Sequence, residues 1–221
     1  MQADFWHERW QRNQIGFHQA DINLHLQQFW PVLGVTTGTR VFVPLCGKSG
    51  DMLWLRGQGY EVVGVEISPL AVQAFFDENG LKATVETQGP FQVFAADGIC
   101  IWCGDFFALN PEDLAGVAAV YDRASLIALP PEMRCAYARH LRQLLAPGVK
   151  SLLVAIEYPE GEMEGPPFSV REAEVLALYG PDCVVERVFA ADILDQEPRF
   201  RDKGLSRLQE KVYALTYHRN F

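Results

Sequence analysis

The chain has 221 residues and lacks several features that would narrow its class at once. No run approaches the roughly 18–20 apolar residues needed to cross a bilayer. The start, Met1-Gln2-Ala3-Asp4-Phe5-Trp6, has neither the basic stretch nor the apolar core of a secretory leader. A cytoplasmic protein without membrane attachment is therefore expected. Cations are scarce: 19 Lys and Arg face 28 Asp and Glu, a net charge of −9, which disfavours general nucleic-acid binding. Cysteine is sparse and odd in number, with five residues at 46, 100, 103, 135 and 183. Reduced thiols follow, because a chain this long needs no disulfide staples. Cys100 and Cys103 are the one close pair, but residues three apart on a strand point to opposite faces, so they share neither a metal nor a disulfide. His7, His18 and His25 have no metal-ligand spacing either, and no metal is expected.

What remains is ordinary globular material, 49% hydrophobic, 21% charged and 12% aromatic, enough for a substantial core. Three of the five tryptophans, Trp6, Trp10 and Trp30, crowd into the first thirty residues. Trp6 and Trp10, four apart, share one face of a helix.

Strands and helices then alternate. Arg40-Val41-Phe42-Val43 reads as a strand, and Asp51 to Arg56 as a helix ending near Gly57 or Gly59. Tyr60 to Ile67 is a nearly continuous apolar strand, buried on both faces. Ser68-Pro69 is a helix start, with Ser68 as cap and Asn79-Gly80 as the stop. Phe91 to Ala95 and Ile99 to Cys103 form a hairpin across Asp97-Gly98. Val117 to Tyr121 is a strand, and Pro130-Pro131 opens a helix closed by Pro147-Gly148. Ser151 to Glu157 is again a strand, and Ser169-Val170-Arg171-Glu172 reads as a capping box. The last third is a strand (184–189), a polar loop (195–204) and a strand (211–216), an antiparallel finish. This alternation predicts one doubly wound α/β domain over 1–221 with a mostly parallel sheet and helices on both faces.

Ligands of such sheets lie beyond the carboxyl ends of the strands. The loop Pro44 to Gly50 contains Gly47-Lys48-Ser49, but position 42 is Phe where a phosphate loop needs Gly, and G-x-G-x-x-G is absent. A triphosphate or a dinucleotide is disfavoured, whereas backbone amides here suit a smaller anion. Glu66, 19 residues past Gly47 at the end of its strand, stands where an acidic residue accepts both ribose hydroxyls. Asp122 and Arg123 leave another strand together and are expected to face the cleft. Cys46 reads as structural. A nucleoside with a charged amino-acid tail, S-adenosylmethionine, fits these features.

Phe42 to Lys48, Val63 to Ser68 and Asp122-Arg123-Ala124 resemble the thiopurine S-methyltransferases, in particular the bacterial branch. So do Trp6-x-x-x-Trp10, Gly16-Phe17-His18-Gln19, Gly165-Pro166-Pro167-Phe168 and Glu210-Lys211-Val212-Tyr213. The likeness runs in order from about residue 5 to residue 217. It implies a class I, Rossmann-like S-adenosylmethionine-dependent methyltransferase with a seven-stranded sheet in an α/β core over 38–221. It also implies an N-terminal helical lid over 1–30, S-adenosyl-L-methionine as cofactor, and sulfur or selenium as acceptor. Carried over by position, Trp10, Leu45, Glu66, Gly104, Asp105 and Arg123 are expected at the cofactor, and Phe17, Arg123 and Arg199 at the acceptor. Arg201 competes with Arg199 for that role. Arg123 orients the substrate, and no general base is required where an aromatic thiol is already ionised. The partners expected are small thiols or selenols acting on a monomer. Selenium or tellurium oxyanions as acceptors, or a cofactor-binding protein without activity, are the alternatives.

Overall fold

A computed structural model describes residues 3–218, so Met1, Gln2 and residues 219–221 of the expected lid and domain lie outside the described residues. The strands are β1 (Arg40–Val43), β2 (Glu61–Glu66), β3 (Thr84–Gln88), β4 (Phe91–Ala96), β5 (Ile99–Cys103), β6 (Val117–Arg123), β7 (Lys150–Glu157), β8 (Cys183–Asp192) and β9 (Gln209–Tyr217). The helices are α1 (Ala3–Gln11), α2 (Leu24–Phe29), α3 (Asp51–Gly57), α4 (Pro69–Glu78), α5 (Ser125–Ala128), α6 (Pro131–Leu144), α7 (Glu172–Tyr179) and α8 (Pro198–Arg201).

The strands form one sheet in the order β3-β4-β5-β2-β1-β6-β7-β9-β8. From β5 to β7 the pairing is parallel, and antiparallel strands finish both edges. Nine strands among the described residues replace the seven that the resemblance implies, because β3 and β4 extend the sheet beyond β5. The β3 sequence Thr-Val-Glu-Thr-Gln is exposed at every position, so no alternating apolar face announces it. The hairpin that joins β4 to β5 turns through Asp97 and Gly98 at φ 48° and 76°. Both values suit the two-residue turn whose twist matches the strands.

Alternation along the strands divides the core. Val41 and Val43 pack with Leu26, Trp30, Met52, Leu55 and Phe75 on one face, whereas Phe42 packs with Tyr137, Leu141 and Val175 on the other. Helices α2, α3 and α4 thus cover one side and α6 and α7 the other, as a doubly wound sheet requires. Each fully buried side chain of this size contributes roughly 1.5–3 kcal/mol. Cys100 and Cys103 go to opposite clusters, and all five cysteines are free thiols.

Ser68 caps α4 by accepting from Ala71 N at 3.4 Å. The expected capping box at Ser169 does not form. Its Oγ is held by the backbone N–H and C=O of Tyr158, and the first turn of α7 is served by Glu157, whose Oε2 accepts from Glu172 N at 3.1 Å. The polar loop over 195–204 contains the short α8. No helix among the described residues is long and apolar enough to cross a membrane.

Candidate active site

Strand order reverses at β1, which pairs with β2 on one side and β6 on the other. The carboxyl ends of β1, β2, β6 and β7, with the start of antiparallel β9, face one cavity of about 410 Å³. Its walls come from the loop after β1, from α1 and the segment behind it, and from α8.

At the β2 end lies Glu66, buried. Its Oε2 accepts from Gly47 N at 2.9 Å and its Oε1 from Ser68 N at 2.8 Å. Burial pushes its carboxyl above the ordinary range, against the pull of the backbone N–H groups of Ser68, Gly47 and Ile67. The loop that reaches it is tightly wound: Leu45 and Gly47 have φ of 47° and 53°, a region that costs a residue with a side chain about 1 kcal/mol or more. Gly64 permits the approach, since a Cβ there would meet Cys46 Sγ at 2.8 Å. Burial, and then Glu66, push the Cys46 thiol well up, so it stays protonated and structural. Lys48 turns away to Glu78 on α4, Nζ to Oε1 at 2.6 Å.

Trp10 covers this loop, with its ring 3.4 Å from where a Gly47 Cβ would stand. Phe17 meets Trp6 and Trp10 edge to face, at 5.5 and 5.6 Å between ring centres. All three aromatics line the cavity. Across it, Arg199 Nη1 donates to Gly16 O at 2.8 Å and its Nε to Glu197 at 2.9 Å. Arg201 instead bonds Asp195 and does not line the cavity, so Arg199 is the arginine at the site.

Arg123 enters from the end of β6, and its Nη1 donates to Asp51 Oδ2 at 2.8 Å. Asp51, fully buried, also accepts from Tyr121 Oη at 3.0 Å and, through Oδ1, from Asn23 N at 2.8 Å. Asp122 corrects the expectation that both charges face the cleft. One residue along a strand reverses the face, and Asp122 is buried behind the sheet, accepting from Tyr137 Oη at 2.7 Å. Gly104 and Asp105 do not line the cavity. Gly104 N donates to Glu66 O at 2.9 Å, and a Cβ there would strike the Phe91 ring. The exposed Asp105 accepts from Phe107 N.

Sequence reasoning brought Trp10, Phe17, Leu45, Glu66, Arg123 and Arg199 to one place. It missed Asp51, Tyr121, Asn23, His25 and Glu210. Asp51 reads only as a helix start, although an acidic residue opening a helix beside a ligand loop was a usable signal. Glu210 falls in the Glu210-Lys211-Val212-Tyr213 string of the family resemblance, but no role was attached to it, because only the β9 register brings it to the cavity.

The sequence model of the family described as Thiopurine S-methyltransferase (TPMT) matches residues 1–218. The chain belongs to the thiopurine S-methyltransferase family. Relatives bearing that name include one from Nitrosospira multiformis, 53% identical over 97% of this chain and 98% of its own length. Another, from Pseudomonas entomophila, is 51% identical over 98% of this chain and all of its own length. Among solved structures, the 1,6-didemethyltoxoflavin-N1-methyltransferase of Burkholderia thailandensis matches with a TM-score of 0.66 at 14% identity, covering 98% of this chain and 87% of its own. A phosphoethanolamine N-methyltransferase of Haemonchus contortus gives 0.63 at 10% identity over 87% of this chain and 52% of its own. The protein is thus an S-adenosylmethionine-dependent methyltransferase of the thiopurine S-methyltransferase family, with the Rossmann-like class I fold. The residues fit that cofactor. Glu66 keeps lone pairs beyond those its two backbone hydrogen bonds use, and Gly47, at a φ of 53° that L side chains rarely adopt, brings the loop backbone up under Trp10.

Proposed function

We propose that the enzyme methylates the sulfur of aromatic and heterocyclic thiols, thiopurines among them, by in-line displacement. The observation that carries this reading is the composition of a single cavity: the Glu66 carboxylate at its β2 end, and Arg123, Arg199 and Phe17 around the remainder. When bound, S-adenosylmethionine supplies an electrophilic methyl group on a positively charged sulfur. Glu66 would hold the ribose hydroxyls, with Leu45 and Trp10 packing against the nucleoside and Arg123 reaching its charged tail. Gly104 and Asp105 are assigned no side-chain contact.

On the acceptor side, guanidinium groups favour an anion and orient ring nitrogens through fixed donors. Arg123 is held by Asp51 and Arg199 by Glu197 and Gly16 O, so both are pre-oriented. Phe17 offers an aromatic face to a planar substrate. Of the segment expected as a lid over 1–30, residues 3–20 would cover the site, excluding water and aligning the reactants, effects worth up to roughly 7–11 kcal/mol in favourable intramolecular cases. Leu26 and Trp30 belong instead to the core. An assay with methyl-labelled donor across aromatic thiols, heterocyclic thiones, selenite and tellurite tests the reading. Turnover led by the sulfur heterocycles supports it, and turnover restricted to the inorganic acceptors overturns it.

A further inference from the structure

A further carboxylate reaches the cavity from β9. Glu210, the second residue of β9, lines the cavity and is paired through Oε2 with His25 Nε2 at 2.7 Å. His25 is packed against the Phe189 ring at 4.6 Å, and its Nδ1 is buried without a partner. An orphaned lone pair costs less than an orphaned N–H, so Nε2 carries the hydrogen and donates to Glu210. That leaves Oε1 without a protein hydrogen bond among the described residues. The other cavity carboxylates are committed: Glu66 to two backbone N–H groups and, in the reading above, to the ribose, Asp51 to Arg123, Tyr121 and Asn23, and Glu197 to an ion pair with Arg199 through Oε2.

Register places Glu210 on the face of the sheet that carries Arg123, two residues from the position directly across from it. Arg123 pairs with Val154, Val154 with Val212, and Ile156 with Glu210, and side chains two apart on a strand share a face. Strands lie about 4.8 Å apart and rise about 3.3 Å per residue, so two strands and two residues put Glu210 about 12 Å from Arg123, Cα to Cα, on the same face. A planar heterocycle fits between a guanidinium and a carboxylate placed in that way.

We propose that Glu210 is the general base for acceptors that bind as thiones, heterocycles with sulfur doubly bonded to a ring carbon and the proton on the adjacent nitrogen. This rests on the thiol-methylation reading above and names the substrate class that needs a base. A carboxylate is poorly matched to a thiol proton, since free carboxyls ionise near ~4.3 and free thiols near ~8.5. The ring N–H of a thione differs, because forming the sulfur–methyl bond makes it strongly acidic. As a sulfur lone pair bonds to the methyl carbon, the donor sulfur keeps the electron pair of the bond it loses. In the acceptor the N–H pair becomes the C=N bond, the C=S π pair returns to sulfur, and the proton passes to Glu210 Oε1. Water receives that proton when the product leaves.

The test compares the full-length protein with E210Q on two probes. Pyridine-2-thione must lose a ring proton, whereas 4-nitrothiophenol is already ionised at neutral pH. The expected result is a fall of about 10²-fold in the ratio of kcat on the thione to kcat on the thiolate, the usual scale for a general base. Donor affinity by calorimetry should be unchanged, which shows that the variant is folded. An unchanged ratio overturns the proposal. So does the same ratio change in His18→Gln or Glu197→Gln, at two further titratable groups that line the cavity; His18 interacts with Lys48, Glu78 and Arg123. If the wild type methylates 4-nitrothiophenol but not the thione, the base assignment fails and the thiol reading stands. If it methylates neither, the thiol reading itself fails.

Discussion

At the scale of single residues, the site is organised by two buried carboxylates with different tasks. Glu66 binds two backbone N–H groups and fixes the loop after β1. Glu66→Gln turns an amide N–H toward one of those backbone donors and removes the charge on which the proposed contact with the ribose hydroxyls rests. Hydrogen bonds to charged groups are worth about 1.5–3 kcal/mol, so donor affinity should fall roughly 10- to 150-fold by calorimetry. Unchanged affinity removes Glu66 from the ribose. Asp51 instead joins three segments, through Arg123, Tyr121 and the backbone of Asn23. Asp51→Ala leaves the largely buried guanidinium unpaired and two further donors orphaned. A loss of about 3–5 kcal/mol in urea unfolding is expected, the usual result of breaking a buried pair. Glu66 was legible in the sequence because a strand end and a spacing mark it. Asp51 was not, because its meaning depends on Arg123 and Asn23 arriving from elsewhere in the chain.

Among the elements, β6 shows how far strand logic carries. Its apolar run and its exit at Arg123 are readable, yet period-two alternation sends Tyr121 and Arg123 to the cavity and Asp122 to the opposite face. There burial raises the Asp122 carboxyl to about 6, against hydrogen bonds from Tyr137 and Ser125. Because the folded state holds this proton more tightly than the unfolded chain, whose value is near 3.8, the stabilising contribution is complete below about pH 4. It is lost as pH rises through about 6. Two pKa units correspond to roughly 3 kcal/mol. Stability measured by urea unfolding should therefore decline between pH 4 and 7 by an amount of that order from this group, and Asp122→Asn should flatten the decline. A variant with the wild-type slope assigns that pH dependence elsewhere. The remaining elements divide along the same physical line. Strands buried on both faces, such as β1, β2 and β7, announce themselves by apolar runs, and α4 by its Ser-Pro start. The exposed β3 and the short α8 have neither signal, and both form because a neighbour is already in place.

For the molecule as a whole, the crowding of aromatics near the N-terminus separates binding from folding. Phe5, Trp6, Trp10 and Phe17 belong to none of the buried core clusters, which begin in sequence at Leu26. They pack on one another and on Gly47, and Arg199 reaches from α8 to hold Gly16 O. Removing residues 1–20 therefore deletes cavity wall while leaving Leu26, Trp30 and Leu33 in the core and Asn23 on Asp51. The truncated chain should melt cooperatively, because among the described residues no fully buried apolar side chain has been taken from it. Donor affinity should nevertheless fall about 10- to 150-fold, since losing the cover of one large aromatic forfeits roughly 1.5–3 kcal/mol of burial. Arg199→Ala in the full chain cuts only the tether across the cavity, so it should weaken the donor less than the truncation while still impairing acceptor turnover. A truncated chain that fails to fold, by circular dichroism and the loss of a melting transition, would make these aromatics part of the core and remove the lid from the mechanism.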